Sequence, residues 1–130
     1  MAGEQVLVVE DNKKSMKLFR DVLQVKGYRT LEATTGAHAV ELAAEHMPDV
    51  VLMDIRLPDI DGAEALSRLR ADERTASIPV LALTAQAMRG DRERFLAAGF
   101  DGYVSKPVNV VEFLATVRQH CDGRVDEQRR

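Results

Sequence analysis

The sequence predicts an α/β fold in which a parallel sheet is covered by helices on both faces. Short apolar segments rich in β-branched residues alternate with longer segments of helical periodicity, five times along the chain. This alternation is typical of repeated strand–helix units, in which consecutive strands run parallel. The chain has 130 residues, so a single domain of this kind accounts for nearly all of it.

Three of the five predicted strands are almost entirely apolar, as expected for strands that are covered on both faces. They comprise residues 6–9, 50–53 and 80–83. The other two, residues 29–33 and 102–105, are more polar and are expected at the edges of the sheet. With right-handed crossovers, this distribution predicts the strand order 2-1-3-4-5 of a flavodoxin-like doubly wound sheet.

Each of the five helical segments has apolar residues at spacings of three and four, which indicates one buried face. The predicted inward-facing residues are, in chain order, Met16, Phe19, Val22 and Leu23; Ala39, Val40, Ala43 and Met47; Leu66 and Leu69; Met88, Phe95, Leu96 and Ala98; and Val110, Phe113, Leu114 and Val117.

Pro48 and Gly99 are predicted to end the second and fourth helices. Asp61 opens the third helix, and Asn109 is the predicted N-cap of the fifth. Gly90 is expected to weaken the fourth helix by about 1 kcal/mol relative to alanine.

Composition excludes several classes of protein. The net charge of −3 gives no electrostatic reason to expect nucleic acid or anionic lipid as a partner. The single cysteine, Cys121, excludes an intramolecular disulfide and is typical of a reducing compartment. No segment reaches the ~20 apolar residues that cross a bilayer, and the polar N-terminus is unlike a signal peptide. We therefore expect a cytoplasmic protein, with a domain at residues 1–121 and a polar, flexible tail at residues 122–130.

Five polar residues stand immediately beyond predicted strands. Glu10 and Asp11 follow the first strand, Asp54 the third, Thr84 the fourth and Lys106 the fifth. In open α/β sheets, ligands bind at the carboxyl ends of the strands, near the point where the strand order reverses. Each residue taken alone is explained equally well as the start of a loop. Together they predict three carboxylates, a hydroxyl and an ammonium group at one site.

Such a cluster predicts a metal and a phosphate. Three carboxylates within about 4–6 Å repel one another by several kcal/mol at an effective dielectric near 20. A hard divalent cation such as Mg²⁺ relieves this repulsion, because it takes oxygen ligands and keeps positions open for phosphate oxygens. Lys106 is then a phosphate partner and Thr84 a hydroxyl donor to the same group. One aspartate remains as the nucleophile, since carboxylates form aspartyl-phosphates.

Five short motifs occur in one order between residues 5 and 120. They are Glu10-Asp11; Met53-Asp54-Ile55-Arg56-Leu57-Pro58 followed by Asp61-Gly62; Leu83-Thr84-Ala85; Ala98-Gly99-Phe100-Asp101-Gly102-Tyr103; and Lys106-Pro107. In this order and spacing, they resemble the receiver domain of bacterial two-component response regulators. The chain looks most like the stand-alone receivers, which lack an attached output domain.

The resemblance implies that Asp54 accepts a phosphoryl group from a phosphohistidine of a sensor kinase or phosphotransfer protein. It also implies that Glu10, Asp11, Asp54 and the backbone carbonyl of Arg56 hold Mg²⁺ or Mn²⁺. Glu10 is a small departure, since many members of the family carry aspartate there. Its longer side chain is expected to reach the metal through water.

The resemblance further implies phosphate-binding and switch roles. Lys106 would pair with the phosphate, Thr84, next to Ala85, would move to hydrogen-bond it, and Tyr103 would turn inward into the space that opens. The bond between Lys106 and Pro107 is expected to be cis, since X–Pro is the setting in which a cis bond costs little. The output would be a conformation passed to a protein partner through the fourth helix, fifth strand and fifth helix. The chain would phosphorylate itself and later dephosphorylate itself, but it would not be a turnover enzyme.

Two alternatives come from other functional classes. A nucleotide or flavin binder on the same fold requires a glycine- or hydroxyl-rich loop after the first strand. Residues 10–14 contain no glycine, so this alternative is weak. The second alternative is a receiver-like scaffold that acts without phosphorylation. The presence of all five site residues counts against it, and phosphate incorporation from acetyl phosphate separates the two.

Other polar residues are interpreted as surface. The three histidines, His38, His46 and His120, lack metal-ligand spacing with one another or with Cys121, so a zinc site is not expected. The arginines of the fourth helical segment are interpreted as a solvated helix face, with contact to a partner as the second interpretation; they are Arg89, Arg92 and Arg94.

Overall fold

The computed structural model describes residues 3–85 and 91–129. Within these two ranges, five strands alternate with five helices: β1 Gln5–Val9, α1 Lys13–Val25, β2 Arg29–Ala33, α2 Gly36–His46, β3 Val50–Asp54, α3 Gly62–Ala71, β4 Val80–Thr84, α4 Asp91–Ala98, β5 Gly102–Ser105 and α5 Val110–Arg129. The strands form one parallel sheet in the order β2-β1-β3-β4-β5. The predicted fold class and strand order are confirmed.

The strand register brings the carboxyl ends of the central strands to one edge. The pairs nearest that edge are Val9 with Met53, Asp54 with Leu83, and Thr84 with Ser105. Because the strands are parallel and nearly level, the residues that follow them emerge side by side. This register decides where the candidate site lies.

The core has one layer on each face of the sheet. In β1, Leu7 and Val9 pack into the layer beneath α2, α3 and α4, whereas Val6 and Val8 pack beneath α1 and α5. All four side chains are fully buried. This two-residue alternation explains why the central strands are apolar without interruption.

Helix α1 begins at Lys13, directly after its N-cap Asn12. The Asn12 side chain caps it by accepting a hydrogen bond from the Ser15 amide at 3.0 Å. Met16, Phe19 and Leu23 are buried, as predicted. The Phe19 ring lies 5.3 Å from that of Phe113 in α5, so the two helices share one apolar layer.

Helix α2 ends differently from the prediction. Met47 was expected to face the core, but it lies beyond the helix as a left-handed C-cap and is 53% exposed. The residue before a proline is disfavoured in helical conformation, and Pro48 follows directly. The chain therefore turns at Met47, while Ala39 and Ala43 are buried as predicted.

Helix α4 is described from Asp91 onward, so the predictions for Met88, Arg89 and Gly90 lie outside the described residues. Phe95 is buried, but Leu96 is 43% exposed and Ala98 is also exposed, contrary to prediction. Neighbouring helical residues point about 100° apart, so Phe95 and Leu96 cannot both face the sheet. Gly99 ends the helix with a φ of 110°, as predicted.

Helix α5 begins as predicted. The Asn109 side chain accepts a hydrogen bond from the Glu112 amide at 3.1 Å, and Phe113 and Val117 are buried. Val110 was expected to face the core but is 41% exposed, because it lies in the first turn, beside the cap.

The segment predicted as a polar tail, residues 122–130, is helical as far as Arg129. Residues 122–129 contain no proline and a single glycine, so little in the sequence interrupts the helical backbone. The flexibility of this segment and the domain boundary after residue 121 stay predictions. Among the described helices, none combines the length and the apolar character needed to cross a membrane.

Candidate functional site

The three predicted acidic residues meet at the carboxyl edge of the sheet. Glu10 and Asp11 follow β1, and Asp54 is the last residue of β3. One carboxylate oxygen from each lies within 4.8 Å of the other two. Glu10 and Asp54 are buried, at 1% and 7% exposure, whereas Asp11 is exposed. The predicted carboxylate cluster is therefore present.

Glu10 is held by two hydrogen bonds. Its Oε1 accepts from Nζ of Lys106 at 2.5 Å, and its Oε2 accepts from the Asn12 amide at 3.1 Å. Burial raises the pKa of Glu10 above its ordinary value, and the proximity of Asp54 raises it further. The bonds from Lys106 and Asn12 oppose this rise in pKa without cancelling it.

Asp54 is oriented through both of its oxygens. The Arg56 amide donates to Oδ1 at 2.9 Å, and Nζ of Lys106 donates to Oδ2 at 3.1 Å. Burial by itself would lower the pKa of Lys106, but the hydrogen bonds to Glu10 and Asp54 outweigh burial and raise it. The ammonium group therefore carries its charge at neutral pH.

Lys106 reaches the cluster because β5 ends level with β4. Its backbone amide donates to the Thr84 carbonyl at 2.8 Å, which continues the ladder past Ser105. The peptide bond between Lys106 and Pro107 is cis, as predicted. Thr84 is 7% exposed and ends β4 beside the acidic cluster.

The loop after β3 begins and ends at residues that are hydrogen-bonded to each other, Ile55 and Gly62. The Gly62 amide donates to the Ile55 carbonyl at 2.9 Å. A Cβ at this position would lie 2.9 Å from the Asp54 carbonyl oxygen, which is too close for any side chain. Asp61 then caps α3 by accepting from the Glu64 amide at 2.8 Å. The Asp61-Gly62 motif therefore lets the chain pass close to the Asp54 backbone as it enters α3.

These residues line one pocket of about 350 Å³. Its walls are formed by Glu10, Asp11, Asn12, Asp54, Ile55, Arg56, Thr84, Ala85, Arg94, Phe95 and Lys106. The structure therefore brings together every predicted site residue except Tyr103 and Pro107. The ring of Tyr103 lies 5.9 Å from that of Phe95, so Tyr103 neighbours a residue of the pocket wall.

Arg94 and Phe95 are site residues that the sequence analysis missed. Arg94 is exposed, as predicted for a solvated helix face, but it also lines the pocket, and its guanidinium carbon lies 5.4 Å from the centre of the Phe95 ring. No local pattern distinguishes Arg94 from the other arginines of this segment. Its placement depends on how α4 packs beside β4 and β5.

The donor set fits a hard divalent cation. All three side-chain ligands are carboxylates, and oxygen is the ligand type that Mg²⁺ and Mn²⁺ prefer in proteins. A bound cation also offsets the repulsion among three carboxylates, for which Lys106 supplies a single positive charge.

Comparison with known proteins gives a consistent assignment. A family model described as the response regulator receiver domain matches residues 6–118. The polar-differentiation response regulator DivK of Brucella ovis is 45% identical over 117 residues, which cover 90% of this chain and 95% of the relative. DivK of Brucella anthropi is 44% identical over a stretch of the same length.

Solved structures agree with these relatives. The receiver domain of the sensor histidine kinase PA1611 from Pseudomonas aeruginosa PAO1 is 37% identical, with a TM-score of 0.85. The match covers 93% of this chain and 99% of that domain, which holds a magnesium ion in its active site cleft. The chemotaxis protein CheY4 of Vibrio cholerae superposes with a TM-score of 0.84 at 27% identity, over 91% of this chain and 98% of that one. The chain therefore belongs to the response regulator receiver domain family, the family whose motifs its sequence resembles.

Proposed function

We propose that this protein is a stand-alone response regulator that is phosphorylated on Asp54. The observation that carries the proposal is the placement of the Asp54 carboxylate. It is held by Arg56 and Lys106, lies within 4.8 Å of two further carboxylates, and lines an open pocket. A carboxylate that was only structural would not be placed beside two others at a pocket.

The reaction is a phosphoryl transfer from a phosphohistidine. An oxygen of Asp54 forms a bond to phosphorus while the N–P bond of the donor breaks, and the electron pair of that bond returns to the imidazole. The product is an acyl phosphate, so Asp54 loses its carboxylate charge and gains phosphoryl oxygens. Lys106 offers these oxygens a charge-assisted hydrogen bond from a position 3.1 Å from Asp54.

Metal binding belongs to the same proposal. Glu10, Asp11 and Asp54, with the backbone carbonyl of Arg56, would hold Mg²⁺ or Mn²⁺. When bound, the ion neutralises part of the carboxylate charge and leaves coordination positions for phosphoryl oxygens. Glu10 already accepts hydrogen bonds on both oxygens, which supports a contact with the ion through water.

The output is a change of conformation. Thr84 and Ala85 line the pocket at the end of β4, and we propose that the Thr84 hydroxyl turns toward the phosphoryl group. Phe95 touches both the pocket and Tyr103, so movement of Tyr103 provides a path from Asp54 to the α4–β5–α5 face. That face would bind a downstream protein in the cytoplasm, whereas the phosphodonor is a sensor histidine kinase or a phosphotransfer protein. We infer that the protein is a phospho-acceptor that hydrolyses its own acyl phosphate, and that it is not a turnover enzyme.

The direct test is phosphorylation of the purified protein by acetyl phosphate, followed by mass spectrometry. We expect one Mg²⁺-dependent phosphoryl group, located on Asp54 and absent from Asp54→Asn. Asp61→Asn is the matched control, because it removes an exposed aspartate from the same loop while asparagine keeps the helix cap. Labelling of Asp54→Asn equal to that of the wild type would contradict the assignment. A wild type that takes no label would favour the scaffold alternative.

A further inference from the structure

The β3–α3 loop, residues 55–61, carries Arg56 and contains no helix or strand. Its two ends are fastened close to Asp54. The Arg56 amide donates to Asp54 Oδ1, and Gly62, just beyond the loop, donates from its amide to the Ile55 carbonyl, each at 2.9 Å. The middle of the loop is fastened elsewhere, to the second helix.

Asp59 makes that second attachment. Its Oδ1 accepts from the Gly36 amide at 2.8 Å, and its Oδ2 accepts from the Ala37 amide at 2.9 Å. These are the first two residues of α2, whose amides have no partner within a helix. The next amide, of His38, donates to Oγ1 of Thr35 at 3.2 Å. The first three amides of α2 are therefore capped by two side chains. Thr35 is adjacent to the helix in sequence, and Asp59 comes from the β3–α3 loop.

The attachment is strong for an exposed residue. Both bonds are made to a charged carboxylate at the positive end of a helix. They hold the pKa of Asp59 well below its ordinary value, at about 2, so the group is charged at neutral pH. The adjacent Ile60 adds a steric contact, since a Cβ at Gly36 would come within 2.5 Å of its side chain.

Helix α2 is a firm support for the loop. Ala39 and Ala43 are fully buried against the sheet, in the same core layer that Ile60 contacts. Arg56 lies three positions before Asp59, in a loop whose ends and middle are all fixed. The position of the Arg56 backbone therefore depends on a helix that contributes no residue to the pocket wall.

We propose that Asp59 is a positioning residue for the metal site, which holds the β3–α3 loop so that the Arg56 carbonyl is presented to Mg²⁺. The inference rests on the proposed function, because it takes Arg56 to be a ligand. Asp59 would not contact the metal but would act through the loop. Residues outside the ligand set of a metal commonly act in this way, by orienting the residues that do bind it.

The test is Mg²⁺ affinity, measured by calorimetric titration of the wild type, Asp59→Ala and Thr35→Ala. Thr35→Ala is the matched control, because it removes the other cap of α2 and leaves the loop attached. We expect Asp59→Ala to raise the Kd for Mg²⁺ about tenfold, the scale typical of such outer groups. Thr35→Ala should lower the melting temperature but leave the Kd unchanged. Asp59→Glu, which keeps the carboxylate, should recover part of the affinity.

A second readout separates positioning from general damage. The Mg²⁺ concentration that gives half-maximal labelling by acetyl phosphate should rise in Asp59→Ala and stay at the wild-type value in Thr35→Ala, because the positioning role concerns metal affinity. An unchanged Kd in Asp59→Ala, or an equal rise in Thr35→Ala, overturns the inference. If Asp59→Ala does not fold, Asp59→Asn, which keeps one acceptor oxygen, is judged by the same criteria.

The two proposals fail in different ways. A wild type that binds Mg²⁺ and is labelled on Asp54, beside an Asp59 variant that behaves identically, rejects the positioning role alone. A wild type that neither binds Mg²⁺ nor takes label rejects the proposed function, and the positioning role with it.

Discussion

The ammonium group of Lys106 lies 3.1 Å from Oδ2 of Asp54, although the two residues are 52 positions apart in the chain. Asp54 ends β3 and Lys106 follows β5, so the lysine side chain reaches across the end of β4. The same ammonium group also bonds Glu10, which is almost fully buried. Lys106 is therefore the positive charge that joins the ends of three strands.

Replacing Lys106 with methionine should destabilise the protein by about 3 kcal/mol, because removal of one partner leaves buried carboxylates uncompensated. Chemical denaturation measures the free energy of unfolding. Lys17→Met is the matched control, since Lys17 pairs with Asp21 on the surface, where an ion pair contributes between about 0 and 1 kcal/mol. Equal losses in the two variants would show that Lys106 has no special structural role.

The same comparison has a pH dependence that follows from Glu10. Because the pKa of Glu10 is raised on folding, its protonated form favours the folded state. This contribution is complete below the ordinary value of 4.5 and is lost as the pH rises through the folded value. The hydrogen bond from Lys106 opposes the rise in the pKa of Glu10, so Lys106→Met should raise that pKa further and protonation should relieve the uncompensated charge. The penalty of Lys106→Met should therefore be smaller at about pH 5 than at about pH 8. A penalty that grows on acidification would contradict this account.

Asp11→Asn should stabilise the metal-free protein and weaken its binding of Mg²⁺. The substitution removes one of three carboxylates whose oxygens lie within 4.8 Å of one another, so the repulsion among them falls. Melting curves with EDTA and with excess Mg²⁺ give both effects, since an ion that binds only the folded state raises the melting temperature. A metal-free variant that melts no higher than the metal-free wild type would show that the repulsion is negligible.

Asp59→Asn should lower the melting temperature at neutral pH and have little effect in strong acid. The folded pKa of Asp59 is about 2 against an ordinary value of 3.8, so its stabilisation is present above 3.8 and disappears as the pH falls through about 2. Melting temperatures are compared across this range, with Glu41→Gln as a control for loss of an exposed carboxylate from the attached helix. A difference independent of pH would show that the carboxylate charge does not matter.

A phosphate mimic should change the α4–β5 side of the molecule more than α2. With Mg²⁺ and beryllofluoride, we expect amide NMR signals from residues 91–99 and Tyr103 to shift, because Phe95 connects the pocket to Tyr103. Coupling of this kind is typically worth 1–3 kcal/mol. Signals from Ala39 to His46 in α2 serve as the internal reference and should move much less. Shifts centred on α2, or confined to the acidic cluster, would reject the proposed output face.

Much of this protein follows from its sequence. Alternating apolar and amphipathic segments specify the strands and helices, because burial on one or two faces imposes a period on the chain. The polarity of residues 29–33 and 102–105 places those strands at the edges, and this, with right-handed crossovers, is sufficient for the strand order. Glu10, Asp54, Thr84 and Lys106 are then brought to one edge by topology alone.

Only the tertiary structure shows the features that depend on how helices, strands and loops pack against one another. Local periodicity could not show that Leu96 faces water while Phe95 is buried, or that Arg94 lines the pocket. It also could not join Asp59 to the start of α2, 22 residues away along the chain. The periodicity of apolar residues indicates which face of a helix or strand is buried. These contacts depend instead on the angle and offset at which two elements pack together. Those quantities are determined by side-chain packing across the whole core, so no single segment of the sequence contains them.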